Sequence, residues 1–242
     1  QMNVKKKFQI LAGVTALIGM LAILFVCIRK YMPSSQRMSS EEYFGQLGET
    51  EAAIVVEDHI AQEHAQIYDG NVYIDYTLVQ NELNSRFYWD ASVGLLLFTT
   101  PTQVFEIAPN TSAYAIDGES FDAGYDILHT TSAGMYLSMT FLQQYSDLNC
   151  QVYETPKRVV ITCGSEEVTT ARIKKDTVVR YQGGIKSPIV TDVTEDSEVT
   201  VLEQMDSWSK VLTADGYIGY VKNKQLADVT QTTRETVYAG PE

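Results

Sequence analysis

The most constraining feature of the sequence is an apolar stretch at residues 8–28, FQILAGVTALIGMLAILFVCI, which contains no charged residue. A helix of these twenty-one residues, rising about 1.5 Å per residue, would span roughly 31 Å, the thickness of a bilayer's hydrocarbon core. A cleaved signal peptide is the alternative. Its apolar region would be shorter, and the chain continues with Arg29 and Lys30 rather than with a small-residue cleavage site. The stretch therefore predicts an uncleaved transmembrane helix in contact with membrane lipid.

Charge on either side of the stretch bears on its orientation. Three lysines lie in the short tail at residues 1–7, which predicts a cytoplasmic N-terminus, because basic residues stay on the cytoplasmic side. Arg29 and Lys30 on the other side act against this orientation. The prediction is a single-pass protein of the cell membrane with the bulk of the chain outside the cytoplasm.

The rest of the chain is strongly acidic. From Ser39 onward, twelve basic residues stand against all thirty-one acidic residues, a net charge of −19. A surface of that charge repels phosphate backbones. It therefore argues against nucleic acid and against anionic wall polymers as partners.

Beyond the apolar stretch, three further segments differ in pattern. Residues 29–50 are rich in Ser, Gly and Glu, which predicts a linker that separates the domains from the membrane. Residues 51–164 contain short β-like runs and brief helical patterns. Within them, 72–100 and 135–163 agree in their apolar positions at an offset of 63 residues. This agreement predicts one α/β domain built from two units, each a strand, a short helix and a hairpin.

Two motifs in this predicted domain resemble a known family. They are NSRFYWD at residues 84–90 and TPKRVVI at residues 155–161. Both resemble the copper-amine-oxidase N-terminal-like stalk domain of clostridial cell-surface proteins. The resemblance implies neither copper nor amine oxidation, because it concerns a stalk domain and not the catalytic domain of the oxidase.

Residues 168–228 contain short strands separated by turn signals. The motifs WSKV at 208–211 and DGYIGYV at 215–221 are similar to bacterial SH3 domains. The resemblance implies a small all-β SH3-like barrel with a groove for wall peptides or glycan near Tyr181, Trp208 and Tyr217. An acidic groove would suit a cationic or zwitterionic peptide. Residues 229–242 are predicted to be a linker to a further C-terminal domain.

The predicted fold class is α+β: a transmembrane helix, a duplicated α/β domain and an SH3-like barrel. This order resembles the N-terminal half of membrane-anchored family-18 glycoside hydrolases of Firmicutes. The catalytic motif of that family, Asp-x-x-Asp-x-Asp-x-Glu, is absent from the sequence. We therefore expect no catalytic residues here and predict an anchoring and wall-targeting region that positions a glycan hydrolase at peptidoglycan. The alternatives are an adaptor that binds other envelope proteins and an enzyme with an unrecognised site.

The histidines do not form a ligand pattern. His59 and His64 are five residues apart, unlike the i, i+4 pair of a zinc protease, and His129 is isolated. We predict no metal and no other cofactor.

Cys150 and Cys163 have two interpretations. If residues 155–158 closed a symmetric hairpin, the two cysteines would lie opposite each other across the strands, where a disulfide could form outside the cell. Opposed pairs do not always have disulfide geometry, so two free buried thiols are the alternative.

Overall fold

The chain folds into a long N-terminal helix and two domains made mostly of strands. The computed structural model describes residues 4–235, and these residues are 47% strand and 21% helix. Helix α1 spans Val4–Tyr31, and the side chains of residues 5–31 are exposed. Within the described range, it is the one helix long and apolar enough to cross a membrane. It contains the whole of the predicted 8–28 stretch.

The central domain has two sheets. Its strands, in chain order, are β1 (Glu51–Val56), β2 (His59–Tyr68), β3 (Asn71–Asp75), β4 (Phe87–Asp90), β5 (Leu95–Thr99), β6 (Val104–Ile107), β7 (Ala113–Ile116), β8 (Glu119–Asp122), β9 (Leu128–Thr131), β10 (Gly134–Ser138), β11 (Leu148–Glu154) and β12 (Lys157–Cys163). One sheet has the order β11-β12-β1-β2-β3-β10-β9, with β1 and β12 parallel and every other pair antiparallel. The other sheet is the antiparallel meander β4 to β8. One core is shared by both sheets, and its fully buried phenylalanines are Phe87, Phe98, Phe105 and Phe141.

The two predicted units of the central domain share their order of elements. In the first, β3 leads through the short helix α3 (Tyr76–Leu78) and a π turn (Val79–Leu83) to the hairpin β4–β5. In the second, β10 leads through α4 (Met139–Gln144) to the hairpin β11–β12. Strands β3 and β10 are neighbours, and Ile74 lies opposite Leu137. The hairpins, however, enter different sheets. The duplication itself stays a prediction.

The C-terminal domain is a single antiparallel sheet curved around an aliphatic core. Its strands are β13 (Glu167–Ile173), β14 (Thr177–Arg180), β15 (Ile189–Val193), β16 (Glu198–Gln204), β17 (Trp208–Thr213), β18 (Ile218–Lys222) and β19 (Leu226–Thr233). Their order is β15-β14-β18-β17-β16-β13-β19, and a 3-10 turn (Asn223–Gln225) precedes β19. The buried core contains mainly valines, including Val179, Val199, Val211 and Val221. These β-branched residues favour strands because they pack well on a pleated surface.

The segment at 29–50 is not the loose linker that its composition predicts. Residues 34–38 lie along the edge of the C-terminal sheet, where the backbone N–H of Met38 donates to the carbonyl of Ile189. Helix α2 (Ser40–Phe44) follows, with a capping box formed by Ser39 and Glu42. Its two aromatic residues, Tyr43 and Phe44, are buried. The prediction failed because these few apolar residues have neither helical nor strand periodicity, yet they fill the space between two domains.

An apolar interface joins the domains. Ala53, Val55 and Val160 of the central domain pack with Leu212 and Ile218 of the C-terminal domain, and helix α2 lies among them. The predicted linker at 229–242 is also shorter than expected. Its first five residues belong to β19, and the remainder from 236 lies outside the described residues.

The register predicted for the β11–β12 hairpin was wrong. Two residues, Thr155 and Pro156, form the turn, so Glu154 lies opposite Lys157. Cys150 therefore faces Ile161, and Cys163 faces Leu148. Both cysteines are free thiols. A four-residue turn would have opposed them, but the shorter turn shifts the register by two residues.

Candidate functional site

A cavity of about 420 Å³ lies between the two domains. We call it the interdomain cavity. Both domains and helix α2 contribute its lining, which includes Tyr43, Asp58, His59, Tyr181, Lys210 and Tyr220. Its position at a domain boundary and its mixture of aromatic and charged groups are typical of ligand sites.

Close backbone contact in the C-terminal sheet shapes one wall of the interdomain cavity. Strands β18 and β14 are antiparallel neighbours, and Tyr220 pairs with Arg180. The neighbouring residue must be glycine, because a Cβ on Gly219 would lie 2.5 Å from the carbonyl oxygen of Arg180. Arg180 directly precedes Tyr181 in the chain. The pairing of the two strands therefore brings Tyr220 and Tyr181 to the same cavity.

Tyr43 of helix α2 lines the interdomain cavity, and two hydrogen bonds join its hydroxyl to strand β18. The Tyr43 hydroxyl donates to the carbonyl of Ile218 and accepts from its N–H, both at 2.7 Å. Burial raises the pKa of Tyr43 above its ordinary value, so the hydroxyl stays protonated and keeps its donor role. The contact fixes α2 against β18.

Charged groups line the side formed by the central domain. The turn between β1 and β2 carries Asp58, whose side chain lies 3.1 Å from His59 Nδ1. His59 Nε2 lies 3.1 Å from Glu82. Across the cavity, the Lys210 ammonium donates to the backbone carbonyl of Asp58 at 3.0 Å. The cleft therefore offers one lining carboxylate, Asp58, and one ammonium, Lys210, a mixture that suits a zwitterionic ligand.

The three residues predicted to form a ligand groove are not lining residues of one cavity. Tyr181 is 47% exposed and lines the interdomain cavity. Trp208 lines a separate cavity beside Pro33. Tyr217 is packed at the domain interface, where its ring lies 5.4 Å from that of Phe44. Their role in ligand binding stays a prediction, and one of the three, Tyr217, is occupied by the contact with helix α2 and the central domain.

The family comparison identifies the C-terminal domain. Residues 175–227 match the bacterial SH3 domain. This match confirms the family predicted for residues 168–228. No curated protein and no solved structure matches the chain at a significant level. The resemblance of the central domain to a stalk family, and of the whole arrangement to family-18 hydrolases, stays a prediction.

The SH3 domain and central domain together supply cavity residues that sequence reasoning missed. Asp58 and Lys210 are 152 positions apart in the chain, and nothing in either neighbourhood indicates that they meet. The sequence around His59 indicates neither its carboxylate partners nor its place in the cavity. On strand β2, the odd spacing of His59 and His64 puts the two side chains on opposite faces. His64 instead lies 3.2 Å from Glu51.

A cluster at the other side of the interface contains potential metal ligands. Side-chain atoms of Glu57, Cys163 and Glu166 lie within 4.8 Å of one another. However, Arg234 donates to both carboxylate oxygens of Glu57 at 2.8 Å and lies 3.6 Å from Glu166. The guanidinium thus takes the place that a cation would need. This ion pair also fastens the end of the SH3 sheet to the central domain.

We expect both thiols of the central domain to be unreactive in the folded chain. Burial raises the pKa of Cys150 to about 12, and burial with Glu57 nearby raises that of Cys163 to about 11. At pH 8 a thiol with a pKa of 11 is on the order of one part in a thousand thiolate, the reactive form. Mass spectrometry of iodoacetamide-treated protein should show these two cysteines unmodified until denaturant is added, with the same final count with or without reductant. Rapid alkylation of the folded chain would contradict the structure. If the number of alkylated cysteines rose with reductant, the two cysteines would be joined by a disulfide after all.

Proposed function

We propose that this chain is a non-catalytic, membrane-anchored binding module whose interdomain cavity takes a short zwitterionic peptide of the cell wall. The observation that carries the proposal is the cavity itself, in which the exposed ring of Tyr181 stands opposite the charged turn at Asp58. An aromatic face provides contact area with little loss of side-chain entropy. The carboxylate of Asp58 on the central domain and the ammonium of Lys210 on the SH3 domain provide partners for an amine and a carboxylate.

The match to a bacterial SH3 domain supports a binding or targeting role. Helix α1 supports the anchoring half of the proposal, because it is long and apolar enough to cross a membrane. A helix exposed along its whole length needs an apolar environment, and a bilayer provides one. The role predicted toward a family-18 hydrolase domain in the same polypeptide rests on the resemblance. Anchoring would raise the effective concentration of such a domain at the wall without adding chemistry.

Three described carboxylates have pKa values shifted in the direction opposite to that of a glycosidase's proton donor. Glycoside hydrolysis needs one carboxylic acid whose pKa is raised so that it can donate a proton. The pKa of Glu51 is lowered by the backbone N–H of Gly48. The pKa values of Asp90 and Asp122 are lowered as well, by hydrogen bonds from nearby N–H and hydroxyl groups. Each of these shifts stabilises the ionised form, which cannot act as a general acid.

The test is retention of the full chain, in detergent, on purified peptidoglycan. We expect the wild-type chain to be retained at modest salt and Tyr181→Ala to bind about tenfold more weakly, as is usual for a truncated aromatic contact. Tyr88→Ala is the matched control, because Tyr88 is an exposed strand tyrosine of the central domain that is not among the residues lining the cavity. If Tyr181→Ala were retained as well as the wild-type chain and Tyr88→Ala, the assignment of the ligand to the cavity would be wrong. Absence of wild-type retention would contradict wall binding, and release of reducing sugar would contradict a non-catalytic role.

A further inference from the structure

The SH3 domain lies directly against the end of helix α1, although it comes last in the described chain. The ammonium of Lys186 donates to the backbone carbonyls of Arg29 and Met32. The N–H of Ser34 donates to the carbonyl of Ile185 at 2.7 Å. The guanidinium of Arg180 donates to the carbonyl of Ser34 at 3.0 Å. The domain that was expected to stand away from the membrane is therefore the one next to the helix.

These contacts fix the height of the SH3 domain above the apolar stretch. Arg29 follows residues 8–28 immediately, and Met32 lies four residues beyond Ile28, which is roughly 6 Å along a helix. The headgroup layer on each side of a bilayer is about 5–7 Å thick. If α1 spans the bilayer, Lys186 lies at the depth of the lipid headgroups.

The same side of the SH3 domain carries basic and aromatic side chains. A cavity of about 190 Å³ borders Pro33 and is lined by Trp208, Lys222 and Lys224, among others. The Lys222 ammonium lies 5.7 Å from the Trp208 ring, and Lys224 is exposed. We call Lys186, Trp208, Lys222 and Lys224 the membrane-proximal face.

Acidic groups near the membrane-proximal face are few. Asp206 lies in the turn before Trp208, and Asp176 precedes β14. Asp176 accepts a hydrogen bond from the backbone N–H of Glu195. Arg29 and Lys30 at the end of α1 add two further cations beside Lys186. This local positive charge contrasts with the net charge of −19 of the chain from Ser39 onward.

We propose that the membrane-proximal face binds anionic phospholipid headgroups and so holds the SH3 domain against the membrane. Basic residues within a Debye length of an anionic surface are attracted to it. Tryptophan is favoured at the membrane interface because its ring is apolar and its N–H is polar. The net charge of the chain predicts repulsion from phosphates. At the depth of the headgroups, however, the nearby cations determine the interaction with lipid phosphates, because more distant charges are screened by salt. This inference rests on the proposed insertion of α1 and not on wall binding.

The test uses the full chain in lipid nanodiscs and the fluorescence of Trp208. Trp89→Phe removes the other tryptophan, and a lipid with a spin label on its headgroup acts as the quencher. Discs of phosphatidylcholine are compared with discs of an equal mixture of phosphatidylcholine and phosphatidylglycerol. We expect stronger quenching in the mixture, and we expect high salt to reduce the difference. If Trp89→Phe does not fold, the Trp208 signal is the difference between the wild-type chain and Trp208→Phe.

Charge reversal separates headgroup binding from simple proximity. Lys224→Glu should lose about half of the additional quenching, because one of the cationic groups becomes anionic. Arg86→Glu makes the same change of charge at an exposed position of the central domain and should leave the quenching unchanged. Equal quenching in both types of disc, or equal effects of the two variants, would overturn the proposal. Co-purification of the chain with the discs reports insertion of α1 separately, so a failure of anchoring is distinguishable.

Discussion

Gly216→Ala is expected to separate the two domains and to lower the free energy of unfolding by about 2–5 kcal/mol. Gly216 is buried at the interface with a φ of +88°, in the left-handed region. A Cβ there would lie 2.3 Å from Cγ2 of Val160 in the central domain. Val160 is itself buried on β12, and a β-branched side chain has little rotamer freedom to withdraw. The variant therefore combines backbone strain with a steric clash across the interface.

A matched control separates these two effects. Gly118 has a φ of +83°, and a Cβ there would meet no atom within 4 Å. Gly118→Ala should therefore show only the cost of the left-handed backbone, about 1–2 kcal/mol. The double variant Gly216→Ala/Val160→Ala removes the clashing methyl group. A double-mutant cycle should then show a favourable coupling between positions 216 and 160.

The two tryptophans of the chain report on the domains separately, since Trp89 lies in the central domain and Trp208 in the SH3 domain. We expect their denaturant-induced transitions to coincide in the wild-type chain and to move apart in Gly216→Ala, because separate domains unfold independently. If Gly216→Ala kept coincident transitions and destabilised the chain no more than Gly118→Ala, the proposed tight contact with Val160 would be wrong.

The parts of the fold that local pattern determines could be predicted from the sequence. The uncharged run at 8–28 predicts a long apolar helix, and the structure has one at Val4–Tyr31. The short β-like runs and brief helical patterns of residues 51–164 predict a domain of strands and short helices, and the structure has strands β1 to β12 with short helices between them. The Trp and Gly-Tyr-Val strands predict the SH3 domain, which the family comparison confirms at residues 175–227. Such features depend on periodicity and composition within a short window.

The features that failed depend on contacts between distant segments. The register of β11–β12 is set by whether two or four residues form its turn, and residues 155–158 permit either. The role of residues 34–44 depends on Ile189 and Ile218, more than 150 positions further along the chain. No local pattern encodes these partners. A Ser- and Glu-rich composition predicts a linker, although Tyr43 and Phe44 of this segment pack between the two domains.

The candidate site shows the same division. Tyr181 could be predicted from its place in an SH3-like sequence, and it does line the interdomain cavity. The opposite wall, at Asp58 and His59, belongs to another domain and carries no motif. Tyr217 was expected to face ligand, but the docking of the central domain covers it. The groove inferred for an SH3 domain alone is altered by the packing of the central domain, which contacts Tyr217 and adds Asp58 and His59 to the lining around Tyr181.

The second large effect is expected at Arg158, whose side chain is 3% exposed at the centre of the interface. Its Nε donates to the carbonyl of Asp215 at 2.8 Å, which crosses from the central domain to the SH3 domain. Its Nη1 donates to the carbonyl of Pro156 at 2.9 Å. The guanidinium lies 4.5 Å from the ring of Tyr153 and 4.9 Å from that of Tyr217. One planar cation therefore satisfies carbonyls of both domains while it stacks between aromatic rings.

Arg158→Ala should lower the free energy of unfolding by about 3–5 kcal/mol, as measured by denaturant titration of the full chain in detergent. Arg172→Ala, at an exposed position of β13, should change it by less than about 0.5 kcal/mol. Arg158→Lys keeps the charge but loses the planar fork, so it should recover only part of the loss. Arg158→Met keeps the volume without the charge. If Arg158→Met were as stable as the wild-type chain, burial of the cation would cost as much as its contacts contribute, and the interface would depend on apolar packing alone.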